Sequence, residues 1–325
     1  MHKILVVERI HQAGEKMLAE KAQLIYPQPQ NLEGILAIIG DCDALVARNT
    51  PITRQIMEAA PRLAVIGRHG VGYDTVDIEA ATELGIKVVY TPAANTESVA
   101  EISMGFMICL GRKIVQANRA MQAEELLSDT VTMAIMTRNK GLINADLWGK
   151  TLGVIGVGRI GSSVSRKMIA AFNMRVLGYD PYVDAKTLAG YGVQKAETLE
   201  EMLPLCDFVA VHCSGGAGTR HLINAATLAL MKPDAYLINT ARGTIVDEQA
   251  LVAALREKRV AGAAIDVYDP EPPRPGNPLL HMENVIVTPH FCAMTEESLY
   301  NMATMVAQGV LDVLEGRAPQ YPVVP

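Results

Sequence analysis

The stretch Thr151–Gly161, TLGVIGVGRIG, decides how the rest of the chain is read. Leu152-Gly153-Val154-Ile155 has the composition of a buried strand. Gly156-Val157-Gly158-Arg159-Ile160-Gly161 repeats glycine as G-x-G-x-x-G, and Ser162 to Ala171 follows with helix-compatible composition. A strand, a glycine turn and a helix start in that order make a phosphate cradle. Gly156 lets the chain turn tightly, Gly158 lets a pyrophosphate approach the backbone, and Gly161 lets the helix pack close to the strand. The helix N-terminus adds free N–H groups and the positive end of its dipole. A second apolar run, Met174 to Tyr179, ends in Asp180, 24 residues after Gly156. A carboxylate there would hydrogen-bond the adenosine ribose hydroxyls of a dinucleotide. It would also repel a 2′-phosphate, and no Arg or Lys directly follows it, so the cofactor reads as NAD rather than NADP.

The chain has 325 residues, enough for two domains of ordinary size. Half of the residues are hydrophobic, but they fall in short runs and none approaches the length of a transmembrane helix. The N-terminus, MHKILVVERI, reads as a strand and lacks the apolar region and cleavage site of a signal peptide, so the expected location is the cytoplasm. Cys42, Cys109, Cys206, Cys213 and Cys292 are scattered, without CxxC spacing. That pattern speaks against a disulfide framework and a zinc site, and no metal is expected. A net charge of −6 with dispersed basic residues provides no footprint for nucleic acid.

The first hundred residues alternate short apolar runs with helical patterns. Ile4 to Val7, Gln23 to Tyr26, Ala44 to Ala47, Leu63 to Ile66 and Lys87 to Val89 read as strands; Ile52 to Ala60 and Val76 to Leu84 read as helices. This is a parallel α/β pattern without a dinucleotide fingerprint, so a separate domain precedes the glycine turn. Within it, Gly67-Arg68-His69-Gly70-Val71-Gly72-Tyr73-Asp74 follows a strand. Glycines at 67, 70 and 72 would expose backbone N–H groups as an anion nest suited to a carboxylate, with Arg68 and His69 assisting; a plain glycine-rich connection is the other reading. Thr96 to Arg119 reads as one long helix, and Gln122 to Ala145 as mixed helix and loop.

After Asp180 the alternation resumes. Strands are expected at Phe208 to Val211, Ala235 to Asn239, Ala261 to Ile265 and Val285 to Val287. Arg242, Glu271 and His290 each follow a different one of these strands, so their side chains can converge beside a bound nicotinamide. Hydride transfer to a carbonyl needs a proton donor for the oxygen, and imidazole ordinarily titrates near neutrality. Glu271 is the candidate partner that orients that imidazole and favours its protonated form. Arg242 can bind a substrate carboxylate through its planar fork and polarise the adjacent carbonyl.

Six stretches, GRHGVGYDTVD (67 to 77), NTESVAE (95 to 101), GKTLGVIGVGRIG (149 to 161), NTARGTIVDEQAL (239 to 251), GAAIDVYDPEPP (262 to 273) and VTPH (287 to 290), occur in an order that resembles the D-isomer-specific 2-hydroxyacid dehydrogenases. The resemblance covers nearly the whole chain. It implies two Rossmann-like domains with parallel sheets: a flavodoxin-like substrate domain of residues 1-100 plus 291-325, and an NAD-binding domain of residues 101-290. The C-terminal helix, here Glu296 to Glu315, would return to the first domain. The implied catalytic set is Arg242, Glu271 and His290. Val71 and Gly72 would bind the substrate carboxylate by backbone, within a stretch Arg68, His69, Gly70, Val71 and Gly72. Arg159, Ile160, Asp180, Cys213, Thr219, Thr240, Ala241, Arg242, Asp266 and His290 would lie along the cofactor with Gly156, Gly158 and Gly161. A homodimer through the cofactor domain is the implied assembly.

The implied reaction is NAD-dependent interconversion of a small 2-oxo acid and its D-2-hydroxy acid. An NAD-sensing interaction protein, similar to the carboxy-terminal-binding corepressors, is the alternative. A formate or phosphite dehydrogenase is a third reading, opposed by Glu271, since the formate enzymes usually pair the catalytic His with Gln. The chain ends soon after the returning helix, short of the regulatory extension of some phosphoglycerate dehydrogenases. Three departures bear on substrate. Cys213-Ser214-Gly215-Gly216 replaces a customary Pro-Leu pair, Phe291-Cys292-Ala293 replaces Gly-Ala after the His, and Glu124 to Asn144 is longer than usual and lacks a customary Trp. Cys292 is expected to narrow the pocket and Phe291 to cover it.

Overall fold

The computed structural model describes residues Met1 to Val324. The chain divides into two compact units, one formed by residues up to Asn95 together with those from Ala293 onward, the other by Thr96–Cys292.

The first unit is built on β1 (His2–Val6), β2 (Ala22–Ile25), β3 (Ala44–Ala47), β4 (Val65–Arg68) and β5 (Lys87–Val89), all parallel in the order β2-β1-β3-β4-β5. That order is the flavodoxin-like doubly wound arrangement expected from the sequence. Successive side chains leave a strand on opposite faces, so the sheet carries two apolar layers. Leu5, Leu45, Ile66 and Val88 enter one, and Ile4, Val6, Val46 and Val65 enter the other with Ala303, Val306 and Val310. The last three belong to the helix Glu296–Leu314, which brings the C-terminal segment back onto this sheet. Thr295 caps that helix, its hydroxyl accepting from the Ser298 N–H at 3.1 Å, while Glu296 and Glu297 complement the dipole of the first turn.

The second unit contains β6 (Thr151–Ile155), β7 (Arg175–Tyr179), β8 (Val193–Lys195), β9 (Phe208–Val211), β10 (Tyr236–Asn239), β11 (Gly262–Ile265) and β12 (Val285–Val287). They form one parallel sheet ordered β12-β11-β10-β9-β6-β7-β8. The order reverses direction beside β6, which places the glycine turn at the switch point where α/β sheets bind ligands. Leu152, Val154 and Ile155 are buried, as expected of a central parallel strand covered on both faces.

Three local readings change. The helix expected from Thr96 to Arg119 is two helices, Thr96–Gly111 and Ile114–Gln122. Lys113 takes a left-handed conformation (φ 48°) that no α-helix accommodates, and the turn is closed by Lys113 N–H to Leu110 O at 3.2 Å. The helix expected from Ile52 begins at Arg54, because Ile52 forms a parallel bridge to Val76. Gly67 belongs to β4, not to the loop that follows. A Cβ there would lie 2.7 Å from Val310 and 2.8 Å from Val306, so its role is to admit the returning helix.

Candidate active site and cofactor cradle

The cradle is built at the end of β6. Gly156 has φ +87°, and a Cβ there would sit 2.4 Å from the backbone nitrogen of Cys213. A Cβ on Gly161 would fall 2.2 Å from the Gly156 carbonyl oxygen. Side chains are therefore excluded at both positions, by the turn at one and by helix-to-strand contact at the other. Gly158 is different: nothing lies within 4 Å of a Cβ placed there, so the space beside it is open for a ligand to approach the backbone. It precedes the helix Arg159–Phe172, whose N-terminus has no side-chain cap. Free N–H groups beside an open glycine fit a pyrophosphate.

Asp180 closes the cradle. One carboxylate oxygen accepts from Val157 N–H and the other from Tyr182 N–H, each at 2.9 Å. Arg159 is exposed and Ile160 half-buried at the helix start. Cys213 lies against Gly156, and burial pushes its thiol up to about 11. Thr219 ends the neighbouring loop, its hydroxyl donating to Ser214 O at 2.8 Å.

The three residues expected from sequence to react, Arg242, Glu271 and His290, follow three adjacent strands. At the end of β10, Asn239 is buried; its Nδ2 donates to Arg242 O at 2.9 Å and its Oδ1 accepts from Ala241 N–H at 3.1 Å. These bonds shape Thr240-Ala241-Arg242 from beneath. The Thr240 hydroxyl meets Nδ1 of His212 and Oγ of Ser103, each at 3.4 Å, and burial drives His212 down to about 4. Arg242 is half-buried, with Nη1 donating to Ala241 O at 2.8 Å. Gly215 lies over it, so close that a Cβ would come within 2.9 Å of Arg242 Cγ.

After β11 the chain reaches Asp266 and then the loop carrying Glu271. Glu248 anchors that loop: its carboxylate accepts from Asp269 N–H at 2.9 Å and from Asn277 Nδ2 at 2.8 Å. After β12, His290 adopts φ 52°, a left-handed conformation uncommon for a residue with a side chain. Asp266 supplies the support that holds it. The His290 N–H donates to the Asp266 carbonyl at 2.8 Å. The Asp266 carboxylate accepts from the Thr288 hydroxyl at 2.6 Å, Phe291 N–H at 3.0 Å and Cys292 N–H at 3.2 Å. Tyr268 adds a bond from its hydroxyl to Thr288 O at 2.8 Å. In this frame Nδ1 of His290 is hydrogen-bonded to the Glu271 carboxylate. The two side chains are 40% and 39% exposed, so they remain reachable from solvent.

The structure thus joins His290 to Glu271 and gives Asp266 a supporting role. Cys292 is 4% exposed, with its thiol pushed strongly upward by burial and by Asp266, so it is an interior side chain. Phe291 is exposed. Asn239 and Glu248 were not singled out by sequence. Their partners lie on turns whose shape no local pattern announces.

In the first unit, Arg68 ends β4 and its Nη1 folds back onto the His69 carbonyl. Gly70 has φ +146° and spends its N–H on Arg68 O, whereas the Val71 and Gly72 N–H groups donate to nothing among the described residues. Two free consecutive amides suit a carboxylate. Beside them Arg48 follows β3. Burial would raise the Glu8 carboxyl, but the Arg48, Asn49 and Thr50 N–H groups and the Thr50 hydroxyl outweigh it and hold Glu8 below its usual range.

Among the described residues no group of three or more His, Cys, Asp or Glu is placed to hold a metal ion, and no helix is long and apolar enough to cross a membrane. The family model described as D-isomer specific 2-hydroxyacid dehydrogenase, NAD binding domain, matches residues 104–292. A D-3-phosphoglycerate dehydrogenase of Methanocaldococcus jannaschii is 42% identical over 317 residues, covering 97% of this chain and 58% of that protein. The chain therefore spans a little over half the length of that relative. A glyoxylate reductase of Korarchaeum cryptofilum is 34% identical over 321 residues, covering 98% of this chain and 94% of that one. The crystal structure of an NADPH-dependent glyoxylate/hydroxypyruvate reductase from Sinorhizobium meliloti, in complex with NADP and malonate, matches with TM-score 0.84 and 28% identity over 99% of this chain and 97% of that one.

Proposed function

Because the chain belongs to the D-isomer specific 2-hydroxyacid dehydrogenase family, we propose that it is an NAD-dependent oxidoreductase interconverting a small 2-oxo acid and its D-2-hydroxy acid. The observation that carries this reading is the His290–Glu271 hydrogen bond on a backbone held by Asp266. When bound, NAD supplies or receives a hydride at its nicotinamide ring. His290 Nε2 gives the substrate oxygen its proton in reduction and takes it back in oxidation. Glu271 orients the ring and stabilises the imidazolium. Arg242 binds the substrate carboxylate and polarises the neighbouring carbonyl, and the N–H groups of Val71 and Gly72 are suited to a carboxylate. Gly156, Gly158, Arg159, Ile160 and Gly161 receive the pyrophosphate, Asp180 the ribose, and Cys213, Thr219, Thr240, Ala241 and Asp266 line the remainder of the cofactor.

A homodimer through the second unit is part of this proposal. Ile114, Leu127, Met133, Ile135, Ile143 and Trp148 leave apolar surface exposed there, and sedimentation velocity distinguishes a dimer from a monomer. The five free thiols support a reducing, cytoplasmic setting.

The test of activity is NADH oxidation across glyoxylate, pyruvate, hydroxypyruvate, oxaloacetate, phosphohydroxypyruvate and sulfopyruvate. Turnover of at least one, lost by roughly 10²–10⁴-fold in His290→Ala with NADH binding retained, is expected. No turnover of any, with NADH still bound, would favour an NAD-sensing protein.

A further inference from the structure

Glu271 stands in a loop that can do little to hold itself. From Asp269 to Asn277 the chain reads Asp-Pro-Glu-Pro-Pro-Arg-Pro-Gly-Asn, and Pro270, Pro272, Pro273 and Pro275 have no N–H to donate. Pro270, Glu271, Pro272, Arg274, Pro275 and Gly276 are exposed. Yet the Glu271 carboxylate is held against Nδ1 of His290. A chain segment so poor in donors has to be fixed from outside.

Glu248 reaches both of its ends. One carboxylate oxygen accepts from Asp269 N–H at 2.9 Å and the other from Asn277 Nδ2 at 2.8 Å. Glu248 is half-buried and is itself well placed, as the first residue of the helix Glu248–Arg256, which Asp247 caps by accepting from Ala250 N–H at 3.1 Å. An acid in the first turn of a helix has an ordinary role, complementing the dipole. That role requires no partner beyond the helix, whereas here both oxygens are taken by one loop. Asn277 is pinned from its other side, its Oδ1 accepting from the N–H of the fully buried Leu279 at 3.0 Å. At the opposite end Arg220 pairs with the Asp269 carboxylate at 3.4 Å, and a Cβ on Gly243 would lie 1.9 Å from the Tyr268 carbonyl oxygen, one residue before Asp269. The ends of the loop are thus tied to packed elements, and its tip carries Glu271.

We propose that Glu248 is a positioning residue for the acid/base pair: by holding both ends of the loop, it sets where the Glu271 carboxylate stands against the His290 imidazole. The proposal deepens the dehydrogenase reading above and rests on it for the chemistry. With one end of the loop released, Glu271 exchanges His290 for water, and the imidazolium loses part of its support. Reduction requires the protonated ring, so activity towards a 2-oxo acid then fades at a lower pH.

Glu248 also carries charge. Burial first, then Asp266, Glu248 and Glu271, push the Tyr268 hydroxyl up to about 12, with its bond to Thr288 opposing. The test therefore pairs a variant that removes the charge with one that does not. Glu248→Gln keeps the volume but leaves one acceptor for two donors; Asn277→Ala releases the other end of the loop and changes no charge. For each, kcat/KM is measured from pH 5 to 10 on whichever acid of the panel above the wild type turns over fastest, together with the NADH dissociation constant and the thermal midpoint. Both variants should lose roughly tenfold in kcat/KM with NADH affinity retained, and the alkaline fall of activity should move down by about half a pH unit or more. A purely structural role would lower the amplitude and leave that fall where it is. An alkaline limb that stays in place in either variant overturns the proposal. A second measurement needs no turnover. The pH midpoint of the His290 imidazole ¹⁵N resonances should drop in both variants, and Glu248→Gln should move it no further once Glu271→Gln is present. Midpoints equal to the wild type, or the same drop with Glu271 already replaced, overturn the proposal. A wild type that turns over no acid but shows lowered midpoints in both variants removes the dehydrogenase reading and leaves the positioning by Glu248 standing.

Discussion

The carboxylate of Asp266 accepts the Thr288 hydroxyl at 2.6 Å, and the same carboxylate takes the N–H groups of Phe291 and Cys292 on the far side of His290. His290 is therefore bracketed by bonds to one buried side chain. Asp266→Asn leaves a single acceptor oxygen for three donors and should displace the imidazole. A displacement on the order of 1 Å costs about 10²-fold in turnover. Steady-state kinetics that matched the wild type would show that Asp266 does not set the His290 backbone.

The glycine turn offers two substitutions with opposite structural consequences. Gly156→Ala forces a Cβ to 2.4 Å from Cys213 N at φ +87°, so the thermal midpoint should fall and NADH binding with it. Gly158→Ala meets nothing within 4 Å and carries an ordinary φ of −74°, so the midpoint should hold while NADH affinity drops. Calorimetry of both variants separates the turn from the approach of the pyrophosphate; an unaltered NADH affinity in Gly158→Ala would argue against phosphate contact at that residue.

Cofactor choice should rest on Asp180. Its oxygens are placed by the Val157 and Tyr182 N–H groups, and in the proposed site they would meet the ribose and repel any 2′-phosphate. Asp180→Ala should narrow the NADH over NADPH ratio of kcat/KM by about tenfold or more, on the order of one charge-assisted hydrogen bond. An unchanged ratio would reassign cofactor selection elsewhere.

His69 also makes a prediction about acid stability. Its folded-state value of about 4 lies below the ordinary 6.5 because of burial, Arg48 and Arg68, with Glu8 opposing. Between those values the unfolded chain binds a proton that the folded chain refuses, so stability falls as pH falls from 6.5 towards 4 and the contribution levels off below. The slope is at most about 1.4 kcal/mol per pH unit. Urea titrations of the wild type and His69→Gln across that window should show a shallower slope in the variant. Parallel slopes would mean that the imidazole is not held neutral.

Much of the architecture was legible in the residues. Glycine sterics and apolar runs are local properties, so the turn at Gly156, the strands around it and the placement of Arg242, Glu271 and His290 after three strands could all be read along the chain. The third strand of the second sheet, Val193–Lys195, could not, because Val193-Gln194-Lys195 offers a single apolar residue and so no apolar run to read. Nor could the break at Lys113, where apolar spacing continues on both sides of a left-handed residue.

The supporting hydrogen bonds belong to tertiary structure alone. Asp266 reaches residues 22 to 26 positions away, and Glu248 reaches Asn277 across 29. A buried carboxylate satisfies whichever donors folding presents to it, and no spacing in the chain names them. Gly67 shows the same division: its sequence context suggests a loop glycine, but the returning helix, through Val306 and Val310, leaves no room for a side chain. Composition and spacing settled which residues could do the chemistry. Packing decided which backbone groups hold them in place.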